Sequence, residues 1–286
     1  MHSSVNRKPQ IVGIICLVCE KGYNLFVHIV KMNAASHKLN SSTIYEPKDR
    51  ALFVERMFAQ ISSRYDLLNT ISSFNQHGKW RRIAVRLVGA KAGDHCLDVC
   101  TGTGDLAIEL TNTIMPRGCV IGVDFCEPMM RIGLKKLKDN RSHFMAGNAQ
   151  NIPCPSNSFD VVTIGFGIRN VASRERGLAE MYRVLQPGGK IAVLEASRPD
   201  SGFLRPLVEI YLYKVVPKLG ALFGLKSAYT YLSDSVAEFL SKVELATMLE
   251  SVGFVNVAVH PMNFGTVCVH IGHKPSIEVQ STGGLT

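Results

Sequence analysis

The sequence predicts an α/β protein: a mostly parallel sheet with helices on both faces, ending in antiparallel pairing. Three observations carry that reading. Short apolar strands alternate with helical stripes along most of the chain, and a glycine turn, Gly102-Thr103-Gly104, joins the first strand to a helix. The last two apolar runs, Val255 to Met262 and Val267 to His273, are adjacent, so they pair as a hairpin. At 286 residues the chain can bury a substantial core by itself. Its 46% hydrophobic and 19% charged residues exclude both an intrinsically disordered chain and a polytopic membrane protein.

Two amphipathic helices lead. Val54, Met57, Phe58, Ile61 and Tyr65 share one helical face, and Trp80, Ile83, Ala84, Leu87 and Val88 share another. His95 to Thr101 is a strand running into the glycine turn, followed by a helix with Leu106, Ala107 and Leu110 inward. Val120 to Phe125 is the second strand. Glu127 to Leu137 is then a helix with an acidic first turn and a basic last one, as the helix dipole prefers. Strands follow at His143 to Ala149 and Phe159 to Phe166. The next helix is opened by Ser173, carries Leu178, Met181, Tyr182 and Leu185, and is stopped by Pro187-Gly188-Gly189. A fifth strand, Lys190 to Ser197, leads into Phe203 to Leu225, too rich in Pro and Gly for one long helix. That stretch reads as a lid or insertion over about 200–232. Ser241 and Glu244 form a capping box before Leu245, Met248, Leu249 and Val252.

The domain is expected over residues 46–275, with 276–286 a disordered tail and 1–45 an extension outside the fold. Ile11 to Cys19 has the length of a signal h-region but no small-residue cleavage site after it. A mitochondrial presequence is an alternative, because the basic residues before Glu46 face only Glu20; an upstream extension with Met32 as the working start is preferred. The net charge of +9 favours nucleic acid, anionic headgroups or acidic small molecules. With no run of five like charges, and with Arg81-Arg82 spaced as on a solvated helix face, nucleic-acid binding is not expected. The eight cysteines complete no zinc pattern, so no metal is expected and they read as small buried hydrophobes.

Gly102 to Ala107 matches G-x-G-x-x-A, and Asp124 ends the next strand twenty residues after Gly104, the arrangement of a dinucleotide-binding turn. Asp98 argues against a dinucleotide. It stands four residues before Gly102, where a carboxylate would repel a pyrophosphate and favour S-adenosylmethionine, which carries a sulfonium, an ammonium and no phosphate. Asp124 then suits two ribose hydroxyls and Asn148 an adenine edge. The plainer alternatives are a carboxylate capping the turn for Asp98 and a turn residue for Asn148. No Tyr-x-x-x-Lys pair supports a dehydrogenase, and no Asn/Asp-Pro-Pro-Tyr/Phe motif supports amino-group methylation of adenine.

The segments FAQISSRYDLLNTISSFNQHGKWRR, LDVCTGTGDLA, GNAQNIPCPSNSFDVVTIGFGIRNV and LAEMYRVLQPGGKIAVLE resemble the ubiquinone/menaquinone biosynthesis C-methyltransferase family, across about Ala51 to Lys274. The resemblance implies a class I methyltransferase, Rossmann-like fold with a seven-stranded sheet and a C-terminal antiparallel strand. It also implies S-adenosylmethionine as donor and a ring carbon of a polyprenylated quinol as acceptor. The family's cofactor positions fall on Thr103, Asp124 and Asn148-Ala149, with Gly102, Gly104 and Gly165 beside them. Gly165 replaces the family's usual serine and Gly78 a common arginine.

Methylating a ring carbon needs an aligned quinol, an apolar pocket and a group to stabilise the developing phenolate. Arg169, just past the fourth strand, is expected to be that group, with carboxylate pairing as its plainer role. Tyr65, beside Asp66, is the second candidate, and His77 and His270 are weaker ones. Phe203 to Leu225, with Tyr211, Tyr213 and Lys214, is expected to pack in the core, receive an isoprenoid tail or touch a bilayer. The expected location is cytoplasmic, peripheral at the inner membrane face, or the mitochondrial matrix if the first 45 residues are a leader; a homodimer is compatible with the pattern. The rival functions are a non-catalytic methyltransferase-like subunit of quinone synthesis and, more distantly, an NAD-dependent dehydrogenase. Whether the ring is a naphthoquinol or a benzoquinol stays open.

Overall fold

The computed structural model describes residues 47–138, 141–198, 206, 210–215, 218 and 226–276. The expected extension over 1–45, almost all of the tail and most of the 200–232 insertion lie outside them.

Three helices and a short turn precede the sheet: α1 (Pro47–Ile61), a 3-10 turn (Ser62–Arg64), α2 (Tyr65–Ser72) and then α3 (His77–Val88). The sheet and its crossovers follow as β1 (His95–Val99), α4 (Asp105–Ile114), β2 (Cys119–Asp124), α5 (Glu127–Lys136), β3 (Ser142–Ala146), β4 (Phe159–Gly165), α6 (Arg174–Val184) and β5 (Leu185–Ala196). The chain closes with α7 (Lys226–Ala237), α8 (Lys242–Val252), β6 (Val255–Met262) and β7 (Val267–His273). The strand order is β3-β2-β1-β4-β5-β7-β6, with β7 antiparallel to both of its neighbours and every other pairing parallel. The order reverses between β1 and β4, and crossovers run to opposite sides of that point. It leaves a crevice beyond the carboxyl ends of those strands, where ligands bind in open α/β sheets.

Both faces of the sheet are covered. One core joins Leu97, Val162, Ile164 and Ile191 to Leu178 and Met181 of α6 and Leu245 and Leu249 of α8. The other joins Cys96, Val161 and Val269 to Ala84 and Val88 of α3 and Leu106 and Leu110 of α4. A third, separate cluster links Met57, Ile61 and Leu68 of α1 and α2 to Ala228 and Tyr229 of α7. This last cluster builds a helical cap over the crevice. The capping box on α8 forms as expected, with Ser241 Oγ accepting from the Glu244 amide and the Glu244 carboxylate from the Ser241 amide. Ser173 caps α6. Cys96, Cys126 and Cys154 are buried free thiols, packed as small hydrophobes.

Four elements differ from the sequence expectation. The stripe from Val54 to Tyr65 is interrupted after Ile61, where the Ser62 hydroxyl donates to the Ala59 carbonyl at 2.9 Å and competes with the helix ladder. Tyr65 therefore opens a new helix. On α3 the inward residues are Trp80, Arg81, Ala84, Val85 and Val88, so Arg81 is buried and not on a solvated face. β3 stops at Ala146, leaving Asn148 and Ala149 in the following turn. Pro187-Gly188-Gly189 does not precede β5 but sits within it, as a bulge where the register against β4 shifts between Phe159 and Val161.

Candidate active site

Above β1 the backbone enters the left-handed region at Cys100, Gly102 and Gly104 (φ +55°, +55° and +79°), turning sharply into α4. Only glycine fits at 104, since a Cβ there would meet the Phe144 ring at 2.6 Å. Asp98 lies under this turn, 1% exposed, and both its oxygens are used: one accepts from Thr101 Oγ1 and the other from Thr163 Oγ1, each at 2.7 Å. It braces the turn to β4. Burial pushes its carboxyl up to about 6, against the pull of the two hydroxyls. Asp124, at the end of β2, accepts from the Gly102 and Cys126 amides at 2.8 Å each, and burial pushes it to about 6 as well.

These contacts test which group the turn can hold. The Gly102 amide, which a diphosphate would need, already donates to Asp124, and two buried carboxylates stand within the turn. Such a donor set repels phosphate and suits a sulfonium and an ammonium.

Of the nominated cofactor positions, Asp98, Gly102, Thr103, Gly104 and Asp124 converge on this turn. The Thr103 hydroxyl donates to Asp66 Oδ1 of α2 at 2.6 Å. Asn148 is exposed beyond β3, and its Oδ1 accepts from the Gln150 amide at 2.8 Å in the turn role named as its plainer alternative. Ala149 is packed into the core. Gly165 ends β4, and a side chain there would crowd Leu106, its Cβ only 3.1 Å from Cδ2.

Beside the turn, under the helical cap, lies a cavity of about 630 Å³. Its walls are largely apolar, from Met57, Ile61, Leu68, Trp80, Phe166 and Leu232 among others. Tyr65 and Arg169 both line it, and the Tyr65 phenol lies within electrostatic range of the guanidinium. Arg169 stands on the 3-10 turn Ile168–Asn170 just past β4. It is buried, and its Nη1 donates to the Phe166 carbonyl at 2.8 Å and to Glu195 Oε1 of β5 at 2.5 Å. Burial alone would lower its pKa, but Glu195 outweighs that and raises it, so Arg169 is a fixed cation. Arg169 thus has its plainer role, pairing a carboxylate, and it also lines the cavity.

Glu195 was missed in the sequence reading. Its signal is a carboxylate directly following the apolar run Ile191 to Leu194 and preceding Ala196, where an unpaired charge would be prohibitive. Arg81 was also missed as a site residue. It pairs with Asp105 of α4 at 3.5 Å and bonds His77 Nδ1 at 2.5 Å. Lys136 of α5 completes the group, donating to Asp66 at 2.8 Å and to Asp105 at 2.5 Å. Helices α2 and α3 thus carry cavity-lining residues on one side and are tied by ions to the glycine turn and the start of α4 on the other.

Neither histidine turns a free ring nitrogen to the cavity. His270 of β7 is buried away from the cavity lining, with Nε2 donating to the Lys242 carbonyl at 2.8 Å. His77 does line the cavity, yet both nitrogens are used. Thr70 Oγ1 spends its proton on the Asp66 carbonyl, so Nε2 must donate to Thr70 at 3.2 Å and Nδ1 accept from Arg81. Burial, with Arg81, lowers its pKa and keeps it neutral.

Comparison with known proteins agrees with this geometry. The chain is 41% identical over 226 residues to a demethylmenaquinone methyltransferase of Anoxybacillus flavithermus, covering 78% of this chain and 95% of that relative. It is 40% identical over 236 residues to the ubiquinone/menaquinone biosynthesis C-methyltransferase UbiE of Geobacter sulfurreducens, covering 81% and 92%. A solved S-adenosylmethionine-dependent methyltransferase of Thermotoga maritima, described as a possible histamine N-methyltransferase, shares the fold at a TM-score of 0.57 and 22% identity, covering 77% of this chain and 98% of that one. The model of the ubiE/COQ5 methyltransferase family matches residues 44–274, and the chain belongs to that family.

Proposed function

We propose that this methyltransferase moves a methyl group from S-adenosylmethionine to a ring carbon of a polyprenylated quinol. The cavity carries the reading: an apolar space of about 630 Å³ with a fixed cation, Arg169, in its wall, next to a turn that suits a cationic donor. That volume falls within the roughly 300–1,000 Å³ of small-molecule sites and accommodates an aromatic ring with the start of an isoprenoid tail.

Asp98, the Gly102–Gly104 turn and Asp124 would hold the donor, with Thr103, Asn148-Ala149 and Gly165 at its edges. Bound S-adenosylmethionine supplies a methyl group on a positively charged sulfur. When the quinol hydroxyl ionises, Arg169, held cationic by Glu195, would stabilise the phenolate oxygen without moving a proton; the ring carbon then takes the methyl group as its bond to sulfur breaks, and S-adenosylhomocysteine leaves. Because His77 has no free lone pair, the hydroxyl proton passes to water; the hydrogen of the methylated carbon then leaves as aromaticity returns and the oxygen is reprotonated, so one proton is released overall. Purified protein with S-adenosylmethionine and either a demethylmenaquinol or a methoxy-polyprenyl-benzoquinol tests the reading and names the ring. Bound S-adenosylhomocysteine without turnover on either would return the non-catalytic subunit.

The substrate's tail also suggests where the protein works. Two phenylalanines on the cavity wall are turned largely to solvent, Phe74 (73% exposed) and Phe264 (80%), each on backbone with positive φ. Among the described residues no helix is long and apolar enough to cross a membrane. With a net charge of +9, these rings support docking at an anionic membrane surface, on the cytoplasmic or matrix side. Flotation with anionic liposomes should show salt-sensitive binding that Phe74→Ser with Phe264→Ser weakens; no binding at low salt would discard the membrane contact.

A further inference from the structure

Besides Tyr65, three tyrosines line the cavity, and two of these have evident partners. Tyr211 donates from its hydroxyl to the Ser72 carbonyl at 2.9 Å, and Tyr231 donates to Asn170 Oδ1 at 3.0 Å. Tyr229 is different. It is 4% exposed, packed in the apolar cluster with Met57, Ile61, Leu68 and Ala228, and its hydroxyl has no hydrogen-bond partner among the described residues. A buried hydroxyl left unpaired costs stability, whereas phenylalanine would fill the same volume without that cost. Such a group makes sense where a partner arrives from outside the protein. Burial, and then Tyr211, pushes its pKa to about 12, so it stays protonated and available as a donor.

We propose that Tyr229 is a substrate-binding residue whose hydroxyl donates to a ring oxygen of the quinol, fixing the ring at a second point besides Arg169. The proposal rests on the quinol reading above. It explains how an otherwise apolar cap can orient a flat ring: one polar contact from α7 and one from the turn after β4 define its position within the plane. An isoprenoid tail then packs against apolar walls, which set no orientation.

Trp80 is the chain's single tryptophan and lines the cavity, so its fluorescence reports occupancy. The test titrates wild type and Tyr229→Phe with 2-prenyl-1,4-naphthohydroquinone kept reduced, and in parallel with 2-methylnaphthalene, which has the rings but no oxygens. Losing one hydrogen bond to a neutral oxygen should weaken quinol binding about tenfold. Binding of 2-methylnaphthalene and of S-adenosylhomocysteine should stay the same, and Tm should hold or rise. Quinol affinity within twofold of wild type overturns the proposal, as does an equal loss for the hydrocarbon or a fall in S-adenosylhomocysteine affinity, since those mark a structural role. If wild type binds S-adenosylhomocysteine but neither methylates nor binds the quinol, the quinol reading itself has failed and the inference with it.

Discussion

The most discriminating perturbation is Glu195→Gln. Glu195 is 1% exposed and accepts from Arg169 Nη1 at 2.5 Å, from the Arg169 amide at 3.3 Å and from the Ala196 amide at 2.8 Å. Glutamine keeps the shape and one acceptor oxygen but removes the one acidic partner that the buried Arg169 guanidinium has among the described residues. Removing one member of a buried ion pair costs about 3–5 kcal/mol, and the surviving hydrogen bond puts this variant near 3. At roughly 2–4 °C per kcal/mol for a domain of this size, Tm should fall by about 6 to 12 °C. Calorimetry on the protein without ligands measures it. The double variant Arg169→Met with Glu195→Leu supplies the internal control. Replacing both ions with apolar groups of similar volume should recover most of the lost stability, as buried pairs elsewhere do, while methyl transfer stays abolished. A Glu195→Gln protein within 2 °C of wild type, or a double variant that regains activity, would refute the claim that the pair holds the reacting cation in place.

Two further outcomes follow from the turn. Asp98 and Asp124 each titrate near 6 in the folded chain against an ordinary 3.8, so the folded state retains protons that the unfolded chain releases between about pH 4 and 6. Their contribution to stability is therefore full below pH 4 and lost as pH rises through 6. Thermal melts should show the gain in stability from pH 7 to 5 shrinking in Asp124→Asn, and S-adenosylhomocysteine affinity should drop below pH 6 in wild type and less steeply in Asp124→Asn, where Asp98 alone still titrates. Gly104→Ala combines a positive φ with a clash against Phe144, whereas Gly93→Ala, at φ +94° with open space, adds backbone strain alone. Gly93→Ala should cost about 1–2 kcal/mol and leave methyl-donor binding intact; Gly104→Ala should cost more and abolish that binding, as calorimetric titration would read.

The strands and crossover helices were legible because apolar periodicity is local, and each window of ten or so residues carries its own answer. The same holds for the caps at Ser173 and Ser241 and for the glycine turn. What periodicity misses is polar pairing across the sequence. Arg169 and Glu195 lie 26 residues apart on different strands' ends, so the arginine was visible and its partner was not. Arg81 beside Arg82 has the composition of a solvated face; its partners Asp105, His77 and the Phe166 ring, which the fold brings in, explain its burial. The cavity was least legible of all, since its walls come from α1, α2, α3, α7 and the turns after β4 and β6. The Pro-Gly-Gly segment read as a stop because bulges and turns use the same residues, and the difference lies in the partner strand.

Because Asp66 and Tyr65 are neighbours on one short helix, and Arg81 and Trp80 on the next, the proposed donor site at the glycine turn and the proposed acceptor cavity are two sides of one partition. A partition cannot be reshaped for one room without moving it in the other. Variation that widens the acceptor side for a bulkier ring or tail will therefore be selected jointly with donor affinity, and changes in substrate range should arise in α7 and the Phe264 loop, which border only the acceptor, before they arise in α2 and α3.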